Sequence, residues 1–199
     1  MEKRGFCWVD IETTGLDKKK DEILEIACIF TDFKLQHLSD IHTYVLWSGD
    51  KETVNPFVFN MHKETGLWDR LEAVTNAEGL SSPFTVDTLL ADWISNLKDV
   101  YGLDQIMIAG SSVGQFDAVF IERDFPMFYK QLHYRVFDVT SIKLLAEMCG
   151  SPISEEKPYL PEHVARNDVK NSLHVARTFF NPFVETTAMA EHTLKVMES

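Results

Sequence analysis

The run Phe6-Cys7-Trp8-Val9-Asp10-Ile11-Glu12 sets the hardest condition on any fold this chain can adopt, because it asks an apolar strand to carry two carboxylates. Successive side chains of a strand point to opposite faces, so Asp10 and Glu12 emerge on the same face, two residues apart. Ionised groups in so apolar a setting are expensive to bury unless they are ion-paired or coordinate a metal. No Lys or Arg lies within the run to pair with them. A strand end that simply reaches water is the commoner fate of a single acid. It fits the pair within Asp10-Ile11-Glu12-Thr13-Thr14-Gly15-Leu16 less well.

The surrounding pattern predicts strands near 5–12, 22–32 and 40–47. The second, Ile23-Leu24-Glu25-Ile26-Ala27-Cys28-Ile29-Phe30, is apolar almost throughout, as a central strand covered on both faces would be. Three strands in a row suggest an antiparallel meander. Ser81-Ser82-Pro83 offers a cap with proline in the first turn, and Val86, Leu89, Leu90, Trp93, Ile94 and Leu97 follow at helical spacing. Beyond it come a short strand over Gln105–Gly110, helical segments over 116–131 broken at Pro126, a strand at Tyr134–Phe137, and a helix from Val139 to Met148 closed by Gly150. The proline-containing stretch 151–161 is expected to be a mobile loop, with helices from about 167 to 180 and 182 to 197 after it. Strands first, then alternating helices and strands, fit an α/β fold with a mixed five-stranded sheet flanked by helices. A chain of 199 residues, 45% hydrophobic and without a Gly/Pro-rich or charge-run boundary, reads as one domain over 1–199 with a substantial core.

Two further segments carry chemistry: Gly114-Gln115-Phe116-Asp117-Ala118-Val119-Phe120 and His163-Val164-Ala165-Arg166-Asn167-Asp168. Together with the Asp10 segment, and in this order, they resemble the three exonuclease motifs of the DEDD superfamily of 3′-to-5′ exonucleases, in its histidine-containing branch. Each motif alone is weak and their conjunction is strong, covering about Phe6 to Phe180. Within the superfamily the chain is most similar to the oligoribonucleases, which degrade very short RNAs. Leu132-His133-Tyr134-Arg135-Val136-Phe137-Asp138-Val139 resembles their His-Tyr-Arg segment, His62-Lys63-Glu64-Thr65-Gly66-Leu67 their His-Thr-x-Ser-Gly-Leu, and Asp168-Val169-Lys170-Asn171-Ser172 their Asp-Ile-Arg-Glu-Ser. Two departures stand out. Ser111-Ser112-Val113-Gly114-Gln115-Phe116-Asp117 is one residue longer before the acid than the family pattern, and Phe57 stands where the family has a base-stacking Trp.

The resemblance implies a ribonuclease H-like fold and hydrolysis of the 3′-terminal phosphodiester with two divalent cations, Mg²⁺ or Mn²⁺, releasing nucleoside 5′-monophosphates. Asp10 would bridge the two ions, with Glu12 and Asp168 on the ion that binds the attacking water and Asp117 supporting the second. Oxygen ligands without cysteine favour such hard cations over zinc. His163 would accept the water's proton, a task suited to an imidazole. Residues five apart on one helix lie about 140° apart around its axis, so His163 is expected just before the helix and Asp168 in its first turn. Leu16 would wedge against the terminal bases, Phe57 would stack at roughly 1–3 kcal/mol per base, and His62 would touch substrate. Ser112 is counted among the substrate contacts. Tyr134 would reach the active site of a partner subunit, which implies a homodimer. For Leu16 and Phe57, ordinary core packing is an equal alternative.

The net charge of −12 is awkward for a broad, phosphate-gripping nucleic-acid binder, with acidity that serves only solubility an equal alternative. It is compatible with short single-stranded RNA, whose few phosphates bound cations can neutralise locally. Cys7, Cys28 and Cys149 are odd in number, widely spaced and set in apolar runs, so they read as reduced core thiols. The N-terminal residues lead into the strand without a cleavable apolar segment and no run approaches a membrane span, so a cytoplasmic protein without membrane association is expected. Three rivals remain. Gly110-Ser111-Ser112-Val113-Gly114 with Asp138 and His163 downstream has the order of a serine hydrolase centred on Ser112, but leaves Asp10, Glu12 and Asp168 unexplained. A catalytically dead binding module is disfavoured by the presence of all five residues. A DNA-directed exonuclease of the same superfamily is the nearest competitor.

Overall fold

The computed structural model describes residues 2–76, 80–150 and 158–180. Its sheet is built around β1 (Arg4–Thr13), which pairs antiparallel with β2 (Ile23–Asp32) on one side and parallel with β4 (Gln105–Gly110) on the other. The outer strands are β3 (His37–Tyr44), antiparallel to β2, and β5 (His133–Asp138), parallel to β4, giving the order β3-β2-β1-β4-β5. This is the expected mixed five-stranded sheet. The third strand starts three residues earlier than its pattern suggests and ends at Tyr44, after which Val45 makes an isolated bridge to Ser81.

Alternation along β1 divides the core into two layers. Cys7, Val9 and Ile11 face α3 (Pro83–Tyr101), α4 (Asp117–Asp124) and α5 (Pro126–Tyr129), where they meet Val86, Leu90, Ile94, Phe120 and Phe128. Phe6 and Trp8 face the opposite layer, formed with Ala27, Ile29 and Ala165, Val169 and Leu173 of a helix over residues 165–180, here α7. Asp10 and Glu12 continue the Phe6–Trp8 row, so the face covered by α7 is the one that receives the carboxylates. They stand at the carboxyl end of β1, beside the carboxyl end of its parallel neighbour β4, where open α/β sheets place their ligands.

The helix α3 begins as its sequence predicts: the Ser82 side chain accepts from Thr85 N–H, Pro83 occupies the first turn, and Gly102 closes the end with φ 61°. Pro126 separates α4 from α5, and α6 (Val139–Met148) follows β5 with Asp138 as its cap. Two helices that the hydrophobic pattern does not announce are α1 (Pro56–Glu64) and α2 (Leu67–Asn76). They are short, and their apolar faces are shared with Leu24 of β2 in a small satellite core around Trp68. A local signal for α1 does exist in Asn55-Pro56, since the Asn55 side chain accepts from Phe57 N–H and Pro56 fills the first turn. The helix expected over 182–197 and most of the loop expected over 151–161 lie outside the described residues. Cys7 and Cys28 are buried as expected, whereas Cys149 is exposed at the end of α6, where the chain has left the core.

Close approach of β4 to β1 fixes where the site opens. A Cβ at Gly110 would sit 2.7 Å from the Val9 carbonyl oxygen and 3.1 Å from the Val113 Cβ, and the first is backbone that cannot yield. We expect Gly110→Ala to cost about 1–3 kcal/mol through overpacking. In thermal unfolding this lowers the Tm by roughly 2–12 °C for a chain of this size; an unchanged Tm would show that the strands can part.

Candidate active site

Four carboxylates from both sides of the molecule converge at the end of β1. Asp10 and Glu12 come from the strand itself, Asp168 from the first turn of α7, and Asp117 from the first residue of α4 in the opposite layer. One ligand oxygen from each of Asp10, Glu12 and Asp168 lies within 4.8 Å of the others. Asp117 stands beside this trio rather than in it: its Oδ1 accepts from the Ile11 N–H at 3.1 Å, between the two acids of the strand. All four line a cavity of about 300 Å³ together with His163. Among the described residues, no Lys or Arg forms an ion pair with any of them.

His163 and Asp168 take the predicted places. Val164 caps α7, its carbonyl accepting from Asn167 and Asp168 N–H, and His163 lies just outside with φ 60°. The Asp168 Oδ2 accepts from the backbone N–H groups of His163 at 2.7 Å and Val164 at 3.2 Å, which locks the left-handed residue to the helix. A non-glycine residue in that region is strained, and such strain persists where surrounding contacts hold it. The imidazole is thereby presented to the cavity while the Asp168 Oδ1 accepts from the Asn171 amide.

Burial without counter-charge shifts all four acids toward their neutral forms. Asp10 is raised well above the usual carboxylate range, first by burial and then by the charges of Asp117, Glu12 and Asp168. Glu12 is pushed up to about 8, by burial and by Glu25. Asp117 rises to about 7 through burial, against the lowering effect of its backbone hydrogen bonds, and Asp168 is raised by burial as well. A set of oxygen ligands that cannot ionise together unless cations join it fits divalent metal ions.

Leu16 and Phe57 are 73% and 75% exposed at the cavity, which removes core packing as the account of either. Ser112 also lines it, with a left-handed φ of 52°. Its hydroxyl lies 3.2 Å from the Thr140 hydroxyl, and Asp138 Oδ1 accepts from the N–H groups of Ser112 and Thr140. Among the described residues, neither Ser112 nor Asp138 is hydrogen bonded to an imidazole, and His163 forms no triad with them. His62, expected to touch substrate, also lines the cavity. It is fully buried in the cavity wall, with Nε2 2.7 Å from the Thr13 carbonyl oxygen and Nδ1 3.8 Å from Glu12. Burial lowers its pKa. Tyr134 lies on the edge strand β5, exposed, and is not among the lining residues of its own chain's cavity. Sequence reasoning missed Glu25, the one acid in the apolar run of β2. It pairs in register with Glu12, is 1% exposed, and places Oε1 2.6 Å from His42 Nε2.

With this arrangement the comparisons agree. The RNase_T family, described as "Exonuclease", matches residues 7–176, which include all five site residues. The chain belongs to this exonuclease family. It is 32% identical to the oligoribonuclease of Klebsiella pneumoniae over 86% of this chain and 91% of that protein. To the mitochondrial oligoribonuclease of Homo sapiens it is 28% identical, over 88% and 72% respectively. Among solved structures it is similar to Escherichia coli exonuclease I in a complex with single-stranded DNA, with TM-score 0.56 and 14% identity, covering 98% of this chain and 45% of that one. A moderately thermophilic exonuclease I from Methylocaldum szegediense gives TM-score 0.56 and 16% identity over 89% and 40%. The chain therefore spans less than half of these structures, which share its fold. The expected membership of the DEDD exonucleases, close to the oligoribonucleases, is borne out, and family membership implies divalent metal ions.

The raised acids make the stability of the metal-free chain depend on pH. A carboxyl whose folded pKa exceeds its unfolded value binds more protons in the folded state, so its favourable contribution is complete below about pH 4 and is lost as pH rises toward 8. In EDTA, the Tm is expected to fall between pH 5 and pH 8, and millimolar Mg²⁺ or Mn²⁺ to restore it at pH 8. Asp10→Asn should raise the metal-free Tm at pH 8 and abolish most of the metal response; a metal-free Tm that climbs with pH would contradict the shifts.

Proposed function

We propose that this exonuclease is a metal-dependent 3′-to-5′ exoribonuclease that hydrolyses short single-stranded RNA to nucleoside 5′-monophosphates. The observation that carries the reading is the convergence of Asp10, Glu12 and Asp168 within 4.8 Å of one another, beside Asp117 and His163, in one cavity. Asp10, Glu12 and Asp168 would hold two divalent cations, Mg²⁺ or Mn²⁺, with Asp117 supporting them. When bound, such ions neutralise phosphate charge and acidify a bound water. The His163 imidazole accepts the proton of the attacking water, helped by its fixed position against Asp168. Leu16 and Phe57, exposed at the mouth, provide the apolar and aromatic surfaces against which the terminal bases stack. His62 acts through Glu12 and the Thr13 carbonyl, as a positioning residue. Ser112 is a polar contact at the cavity wall.

RNA is favoured over DNA by the likeness to oligoribonucleases, and short substrates by the net charge of −12. A homodimer is supported by exposed apolar side chains, Tyr134 and Val136 on the edge strand β5 and Leu144, Leu145 and Met148 on one face of α6. In such a dimer Tyr134 would serve the partner's cavity. The buried free thiols Cys7 and Cys28 suit a cytoplasmic setting, and no helix among the described residues is long and apolar enough to cross a membrane. We take the chain to act as one exonuclease domain.

A time course with 5′-labelled RNA and DNA of two to twenty nucleotides tests the substrate. Rates should be highest for the shortest RNAs; rates that rise with length, or DNA cut as fast as RNA, would sink the oligoribonuclease reading and leave the nuclease one. EDTA should abolish cleavage and Mn²⁺ restore it. His163→Ala is expected to lower kcat by roughly 10²–10⁴-fold, the usual share of general base catalysis, without loss of metal-dependent stabilisation. Met148→Glu with Leu145→Glu should convert a dimer to a monomer in sedimentation analysis, and no change of mass would reject this face.

A further inference from the structure

A second cavity, of about 280 Å³, lies between β3 and α7 on the face of the sheet that carries Asp10 and Glu12. Its floor is apolar, from Ala27, Ile29 and Val169, and its walls are rich in cationic and imidazole groups in a chain whose net charge is −12. Four of these line up along one side of α7 as Arg166, Lys170, His174 and Arg177, and His37 and His42 face them from β3.

The state of the two cations nearest the start of the helix is informative. Arg177 donates to the Leu35 carbonyl, His42 is held by Glu25, and His37 by Asp40. Arg166 and Lys170 are exposed and, among the described residues, have no ion-pair partner. They stand one helical turn apart, where like charges repel. Arg166 also sits in the first turn of α7, where the helix dipole disfavours a cation. Both local preferences are violated at once, and each violation is relieved by an anion between the two side chains. At the mouth the Tyr159 ring lies 4.8 Å from the His174 ring, which adds an aromatic surface beside the charges.

We propose that the β3–α7 cleft binds the phosphate of a nucleotide between Arg166 and Lys170, with the base against Tyr159 and the apolar floor. The guanidinium supplies planar, paired donors and the ammonium a point charge, a combination matched to a tetrahedral anion. That phosphate can come from a free nucleoside 5′-monophosphate or from the backbone of a strand longer than the catalytic cavity holds. The site is separate from the metal-binding carboxylates, and its existence does not depend on the nuclease reading, because binding is measured where no cleavage occurs.

Calorimetry on the full chain in EDTA tests this, with adenosine 5′-monophosphate, inorganic phosphate, adenosine, and RNAs of two and seven nucleotides as probes. If the source is a free nucleotide, the monophosphate binds with one-to-one stoichiometry, adenosine does not, and Arg166→Gln with Lys170→Gln weakens binding at least tenfold. If the source is a strand, the same double variant weakens the seven-nucleotide RNA at least tenfold and leaves the two-nucleotide RNA unchanged. Lys130→Gln, an exposed lysine change in the opposite layer, should alter neither. Lys170→Glu, a single exposed change, serves as an independent second variant and should behave like the double one. Absence of saturable binding by every probe, or binding that both variants leave intact, would overturn the proposal.

Discussion

Mutual repulsion among clustered carboxylates, Glu12 and Asp117 buried and Asp10 and Asp168 half-buried, is the condition around which this molecule is arranged. Two unit charges about 4–5 Å apart repel by roughly 3–4 kcal/mol at the effective dielectric of a protein. Three such pairs among Asp10, Glu12 and Asp168 are therefore comparable with the whole stability of a domain, about 5–15 kcal/mol. The fold can hold these side chains together only if they are protonated or joined by cations, and the upward shifts of all four acids are the first of those outcomes. Everything that brings them together must then be rigid enough to resist the repulsion, which explains why the anchors are a central strand and two helix starts rather than loops.

The two-layer construction supplies that rigidity. Asp117 arrives from the α4 side and ties its carboxylate to the Ile11 N–H, between the two acids that point the other way. Asp168 arrives from α7, whose first turn it closes by accepting from His163 and Val164. The same oxygen that organises the helix start thus sets the backbone of His163, the proposed proton acceptor. A shift of α7 along the sheet would move His163, Asp168 and the Arg166–Lys170 pair together, so the chemistry and the basic cleft share one mechanical support.

Most of this was legible in the sequence because it follows from periodicity. Alternation in β1 fixed the common face of Asp10 and Glu12, and the five-residue gap between His163 and Asp168 required the helix to begin between them, as it does. What was illegible depended on tertiary context. Helices α1 and α2 are short and bury Val58, Leu67, Trp68 and Leu71 with Leu24 in a satellite core apart from the two main layers, a partnership that only the tertiary fold reveals. His62 was marked by its polar segment and lines the cavity, but its burial against the Thr13 carbonyl depends on how α1 packs, which the segment alone does not show. Glu25 was hidden by its run of apolar neighbours, and only the β1–β2 register reveals that it faces Glu12.

The acidic surface and the cation-poor catalytic cavity together argue for how substrate length is sensed. Affinity for long nucleic acid comes chiefly from releasing counterions at many phosphate contacts, each needing a Lys or Arg. The cavity that holds all four acids is lined by no described Lys or Arg, and the adjoining one that shares Asp10, His163 and Asp168 has Lys143 alone, so a strand gains little from each added phosphate there while meeting a repulsive field around the chain. On the proposed function, binding would then rest on bound cations and on Leu16 and Phe57 at the cavity mouth, contributions complete within the first nucleotides. Short strands would thus be preferred at this cavity without any wall to block longer ones, and only phosphates that reach the Arg166–Lys170 pair would meet a compensating contact.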